Sequence, residues 1–199
     1  MIMNFVEFLI QNNYLEEKYR EDSIYGLTVL MEKMVVCTIL FGMSLLLGKF
    51  LEGMVFIVCF LLLRQTTGGF HANTFLGCLI GSIVTVLFVL EVFALLLEQH
   101  MIIFGILLIF SVVCILLFAP INHPNLRLTF EEQRKHRCWS RVILFVEVGI
   151  SGVGFILKMK WHQYIMMAIV ICAVFIVVAK LLRQEVKVDE GKEDRVSYS

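Results

Sequence analysis

Apolar residues in this chain run in long blocks, and polar residues are gathered into the short breaks between them. A block of about 20 apolar residues is the length an α-helix needs to cross the hydrocarbon of a bilayer. Six segments fit: 24–48, 50–65, 74–97, 101–120, 141–157 and 162–182. The third, fourth and sixth are the strongest. The second is short and bounded by Glu52 and Arg64, and the fifth carries Glu147 with Gly149, Gly152 and Gly154. Breaks fall at Gly48, at Glu98-Gln99-His100, at Pro120 with Pro124, and at Lys158-Met159-Lys160. Such residues end helices. The expected fold is all-α, a polytopic membrane helix bundle of about six spans, forming one domain over 1–199.

Ahead of the first span, Ile2, Phe5, Val6 and Leu9 recur at helical spacing before a charged stretch. This predicts an amphipathic helix over 2–20, either lying in the membrane interface or packed on the end of the bundle. The segment has no basic start and turns acidic, unlike a cleaved signal peptide, so it is expected to be retained. Residues 184–199 form a polar tail.

Composition supports the span reading. The chain is 59% hydrophobic with a mean hydropathy of +0.87 and only 17% charged residues, beyond the range of a soluble domain. The lipid bilayer is therefore the expected partner, and a formal net charge of zero argues against a nucleic-acid one, leaving the distribution of charges as the informative quantity. Cys37, Cys59, Cys114 and Cys172 lie in apolar runs, where a thiol acts as a small hydrophobe. Cys78 and Cys138 sit in polar settings.

The distribution of positive charge predicts orientation. With Lys33 set aside as intramembrane, thirteen basic residues fall on one set of sides: Lys18, Arg20, Arg64, Arg127, Arg134, Lys135, Arg137, Arg141, Lys180, Arg183, Lys187, Lys192 and Arg195. Only Lys49, Lys158 and Lys160 fall on the other. The positive-inside rule then places both termini, the 64–74 turn and a basic 121–141 loop in the cytoplasm of a multi-pass protein.

Residues 64–78, RQTTGGFHANTFLGC, interrupt the apolar pattern between the second and third spans. Irregular backbone at membrane depth is tolerated where protein buries it or where it lines a wet cavity, so the island reads as a built site. A cysteine thiolate attacks a peptide carbonyl to leave a thioester, but a thiol of ordinary pKa near 8.5 needs a base or a positive neighbour. His71 supplies the first and Arg64 the second, which points to a membrane-embedded cysteine peptidase. On one continuous helix His71 and Cys78 would share a face yet stand roughly 10 Å apart along the axis. Acting together, they need a bent backbone, a bridging water or substrate, or a partner chain. Gly68, Gly69 and Gly77 allow a bend, and Asn73 or Thr74 can cap a helix starting just before Cys78.

With its Arg64/Gly68-Gly69/His71/Cys78 island, its amphipathic start, the Ala119-Pro120 close of the fourth span and a basic loop after it, the chain resembles the accessory gene regulator protein B family, membrane peptidases that process quorum-sensing propeptides. The resemblance implies that Cys78 is the nucleophile and His71 its general base, with Gly68 and Gly69 shaping the site. Arg64 is assigned to site shaping by inference. It implies a peptide substrate with an amphipathic leader, a central segment containing a cysteine, and an acidic tail that is cut away to give a thiolactone, in the cell membrane and without a cofactor. Residues 121–128, INHPNLRL, are less lysine-rich than some members of the family.

Other polar residues carry readings of their own. Glu32, Lys33, Glu91 and Glu147 fall inside spans, where ionisable groups usually face a bundle interior or a wet cavity; interhelical pairing is the plainer account of Glu91 and Glu147. Arg127, Arg134, Lys135, Arg137 and Arg141 can hold an acidic peptide tail or anchor to anionic lipid. His71 with Cys78, or His123, His136 and Cys138, fit a metal site poorly without paired short-range ligands, so no metal is expected. A small transporter or peptide exporter is the alternative to a peptidase. A homodimer is compatible with the short second span and is not required by it.

Overall fold

The computed structural model describes residues 2–12, 14–69, 74–93, 96, 101–121 and 130–182. These form seven α-helices: α1 (Ile2–Gln11), α2 (Arg20–Leu46), α3 (Phe50–Thr67), α4 (Phe75–Leu87), α5 (Met101–Phe118), α6 (Phe130–Ile156) and α7 (His162–Leu181). A 3₁₀ turn, Glu17–Tyr19, leads into α2, and α4 continues as a π-helical turn over Phe88–Phe93. The expected all-α bundle is what forms. Five helices are long and apolar enough to span a membrane, and the apolar stretch Ile102–Phe118 of α5 is slightly shorter.

Burial is organised around α7. This helix is apolar on all sides, and Ile165, Ala168, Ile169, Cys172, Ala173, Ile176 and Ala179 are all buried. A helix with no polar face must be enclosed, and α3, α5 and α6 pack around it. The facing seam of α6 carries three small residues among larger ones: Ser140, Leu144, Glu147, Ser151 and Gly154 are buried at alternating steps of four and three. Small residues let backbones approach, the packing mode available when lipid removes any hydrophobic drive between helices. The outward faces are the apolar ones. On α5, Ile102, Ile106, Ile109, Phe110, Val113 and Leu117 are exposed while Ser111 is buried, the reverse of a water-soluble helix.

Several hydroxyls within the spans are satisfied locally, whereas Ser151 donates across to the His162 carbonyl at 3.2 Å. Thr38, Ser44, Ser82, Thr85 and Ser111 each donate to the carbonyl four residues back, so they enter hydrocarbon with partners. At the π turn, Lys49 Nζ donates to the Leu90 carbonyl at 2.7 Å and to Glu91 Oε1 at 3.0 Å. Glu91 is therefore paired between elements, as the plainer reading of the sequence had it. Glu32 and Lys33, by contrast, lie on the exposed surface of α2 and do not face the interior.

Two expected boundaries are corrected. The amphipathic helix runs only to Gln11, not to residue 20, because the Asn12 side chain donates to the Phe8 carbonyl and closes the helix. Arg20 instead opens α2 and reaches back to Glu7 at 2.9 Å. Helix α1 packs against α2, buries Val6, and leaves Met3, Phe5 and Phe8 exposed, which is the packed arrangement of this segment. The basic segment expected as loop to residue 141 is helical from Phe130 onward. No glycine or proline interrupts it, and Glu131 and Glu132 sit in its first turn, where they complement the helix dipole. The polar tail and the Glu98-Gln99-His100 and Pro124 breaks lie outside the described residues.

The α2–α3 crossing gives a direct test, since a Cβ at Gly53 would collide with the Ser44 side chain whereas one at Gly42 meets open space. Gly53→Val should destabilise the protein by about 1–3 kcal/mol, read as a lower melting temperature in detergent, and Gly42→Ala should leave it unchanged.

Candidate active site at one end of the bundle

Because the chain passes back and forth, one end of the bundle collects the C-terminus of α3, the N-terminus of α4, the C-terminus of α5, the N-terminus of α6 and the C-terminus of α7. The polar island belongs to this end. Helix α3 stops at Gly68, whose φ of 68° lies in the left-handed region and whose N–H donates to the Arg64 carbonyl. Gly69 follows with φ 121°.

Glycine is required here for a second reason. A Cβ on Gly68 would stand 2.6 Å from the Ile121 carbonyl oxygen, and one on Gly69 would stand 3.0 Å from Arg64 Nη1. The Ile121 N–H donates to the Thr67 carbonyl at 3.0 Å. The glycine pair is therefore the seat on which the segment after the cis Ala119-Pro120 bond rests. Two features that stand 50 residues apart in sequence meet at one junction.

Arg64 turns inward beside this junction. Its guanidinium lies 4.9 Å from the Phe175 ring centroid and 5.9 Å from that of Phe60, and it donates to the Gly68 carbonyl at 3.4 Å. Two aromatic faces hold a cation well where water is scarce. The guanidinium is within electrostatic range of the Cys78 and Cys172 sulfurs. Phe60 and Phe175 were not singled out in the sequence, where they read as ordinary span residues.

Cys78 lies in the first turn of α4. Thr74 is the N-cap, extended in backbone, and its hydroxyl accepts from the Gly77 N–H at 3.1 Å; the Thr74 carbonyl accepts from the Cys78 N–H. This bears out one of the two capping residues expected; Asn73 lies outside the described residues. The Cys78 side chain is exposed, as is Cys138, whereas Cys114 and Cys172 are buried. The helix that carries Cys78 begins at Phe75, after the extended Thr74. His71 lies outside the described residues, as do His123 and Arg127. Arg64, Gly68, Gly69 and Cys78 are brought to one end of the bundle.

Glu147 stands apart from this junction, in the interior. It is 4% exposed, and neither carboxylate oxygen has a hydrogen-bond partner among the described residues. It lies within electrostatic range of the Cys59 and Cys172 thiols. The interhelical pair expected for it is not found there.

Two measurements check these placements. Gly68→Ala combines a left-handed backbone with a backbone clash and should lower stability by about 1–3 kcal/mol, a larger loss than Glu91→Gln, whose half-exposed pair with Lys49 contributes at most about 1 kcal/mol. Glu147→Leu removes a buried polar group with no hydrogen-bond partner among the described residues and should hold or raise the melting temperature in detergent; a marked fall would reveal a partner.

The accessory gene regulator B family model matches residues 2–180. Neither the curated proteins nor the solved structures gave a match. The chain belongs to the accessory gene regulator B family, and is a multi-pass membrane protein of quorum-sensing propeptide processing.

Proposed function

We propose that this protein is a membrane cysteine endopeptidase that removes the C-terminal tail of a quorum-sensing propeptide and promotes closure of a thiolactone ring. The observation that carries the reading is an exposed thiol, Cys78, in the capped first turn of α4 at the end of the bundle where Arg64 is held. A nucleophile must be reachable by a peptide, and a thiolate benefits from a fixed positive neighbour.

In the proposed reaction His71 takes the thiol proton and the Cys78 sulfur attacks the carbonyl at the junction between the future ring and the tail. The peptide C–N bond breaks, the proton passes to the leaving amine, and the tail departs. A peptidyl thioester remains on Cys78. The propeptide's own cysteine attacks that thioester, its proton passes to the departing Cys78 sulfur, and one thioester replaces another as the ring closes. Gly68 and Gly69 shape the site and Arg64 supplies its positive charge.

The site and both termini are assigned to the cytoplasmic side of the cell membrane, supported by the basic bias of the chain. A freshly made propeptide, with its amphipathic leader on the membrane and its acidic tail near basic side chains, reaches the site without crossing the bilayer.

Co-expression with a candidate propeptide, read by mass spectrometry, provides the test. Cys78→Ala and His71→Ala should each abolish tail removal while protein abundance stays normal, and a Cys78-linked acyl-peptide should form only when Cys78 is present. Unchanged processing by Cys78→Ala would overturn the assignment and favour a transporter or exporter built around Glu147.

A further inference from the structure

Helix α6 is longer than a bilayer requires. Its 27 residues span about 40 Å, against a hydrocarbon thickness of about 30 Å. Its far end is marked by Ile156 and then by the exposed Lys158 and Lys160. Counting about 20 residues back from that boundary places the other edge of the hydrocarbon near Arg137. The first two turns of α6 then stand at headgroup depth, and the helix beyond them lies against acyl chains.

Arg134, Arg137 and Arg141 follow at steps of three and four on one exposed face, the first two at that edge and Arg141 about one turn inside it, from where its long side chain reaches back to headgroup depth. Together with Gln133, Cys138, Val142 and Phe145, all on this one helix, they line an open, shallow cleft along its surface. None of the three arginines forms an ion pair with a described residue. Val142 and Phe145 are exposed and continue the cleft toward the acyl region. A cationic upper rim above an apolar lower wall is complementary to one amphiphile in particular. Guanidinium groups bind phosphate through paired hydrogen bonds, and an acyl chain fits the wall below.

We propose that this cleft on α6 is a binding site for an anionic phospholipid, with Arg134, Arg137 and Arg141 holding the phosphate headgroup and Val142 and Phe145 receiving an acyl chain. An acidic peptide would satisfy the arginines alone and leave the apolar wall uncovered. The site does not depend on the peptidase reading, because it uses none of the residues assigned to cleavage.

The experiment is native mass spectrometry of the full-length protein released from detergent micelles after incubation with phosphatidylglycerol or with phosphatidylcholine. Phosphatidylglycerol should be retained at lower lipid concentration than phosphatidylcholine, and R134Q/R137Q/R141Q should weaken its retention by about fivefold per arginine removed. K158Q/K160Q, at the opposite end of α6, should bind as the unaltered protein does. Phe145→Ser should weaken long-chain phosphatidylglycerol more than a short-chain form. If the triple variant does not elute as folded protein, the three single Arg→Gln variants carry the comparison. Equal retention by the arginine variants overturns the site. So does competition by inorganic phosphate or by a soluble acidic peptide as effective as that of the lipid, which would reduce the cleft to an anion patch or a peptide site.

Discussion

Enclosure of α7 is the constraint on which the other helices depend. A helix that is apolar on every side has no orientation of its own in lipid, so its place is set by the partners that close around it. The approach is permitted by small groups: Ala168, Cys172, Ala173 and Ala179 on α7 meet α3, α5 and α6, whose seams include Ser140, Ser151 and Gly154. Because α7 holds Phe175 against Arg64 and sets Lys180 4.0 Å from the Phe118 ring, its packing also fixes which polar groups gather at the island end.

The candidate site is divided between a firmly held part and a peripheral part. Arg64, Gly68 and Gly69 belong to the end of α3, pinned to Ile121 by a backbone hydrogen bond and by a contact too close for any side chain on Gly68. Cys78 rides on α4, which packs against α2 and is tied to the rest by Lys49 at the π turn. Charge and thiol therefore ride on different helices, α3 and α4. A substrate segment laid between the two would complete the arrangement, consistent with a site assembled around a peptide.

Much of this organisation was legible in the residues. Span positions followed from apolar block length, since hydrocarbon thickness imposes it, and the Thr74 cap followed from hydrogen-bonding chemistry confined to four residues. The family resemblance rested on the island itself. Contacts between distant segments were not legible. Nothing about Phe60 or Phe175 distinguishes an aromatic residue that holds a guanidinium from one that faces lipid, and nothing local tells Gly68 that it must admit the Ile121 carbonyl. The extension of α6 back to Phe130 is hidden because a basic, polar run between apolar blocks reads as loop, although arginine and lysine are good helix formers. The outward placement of Glu32 and Lys33 was likewise unreadable, because it depends on where α2 leaves the bundle.

The exposure of Cys78 has a further bearing on the proposed chemistry. A thioester intermediate must outlast hydrolysis until the peptide's own cysteine reaches it, and a water-poor setting favours that outcome. Exposure would work against this in a soluble enzyme. In this fold the neighbours on the same part of α4, Phe75, Leu76 and Ile80, are also exposed and all apolar, so that surface meets lipid once the helix spans a membrane. A thiol in the first turn then stands at the boundary, open to a peptide lying in the interface and shielded on its deeper side from water. On that reading the bilayer acts as one wall of the active site, and exchange onto a second thiol already held beside the membrane is favoured over release to water.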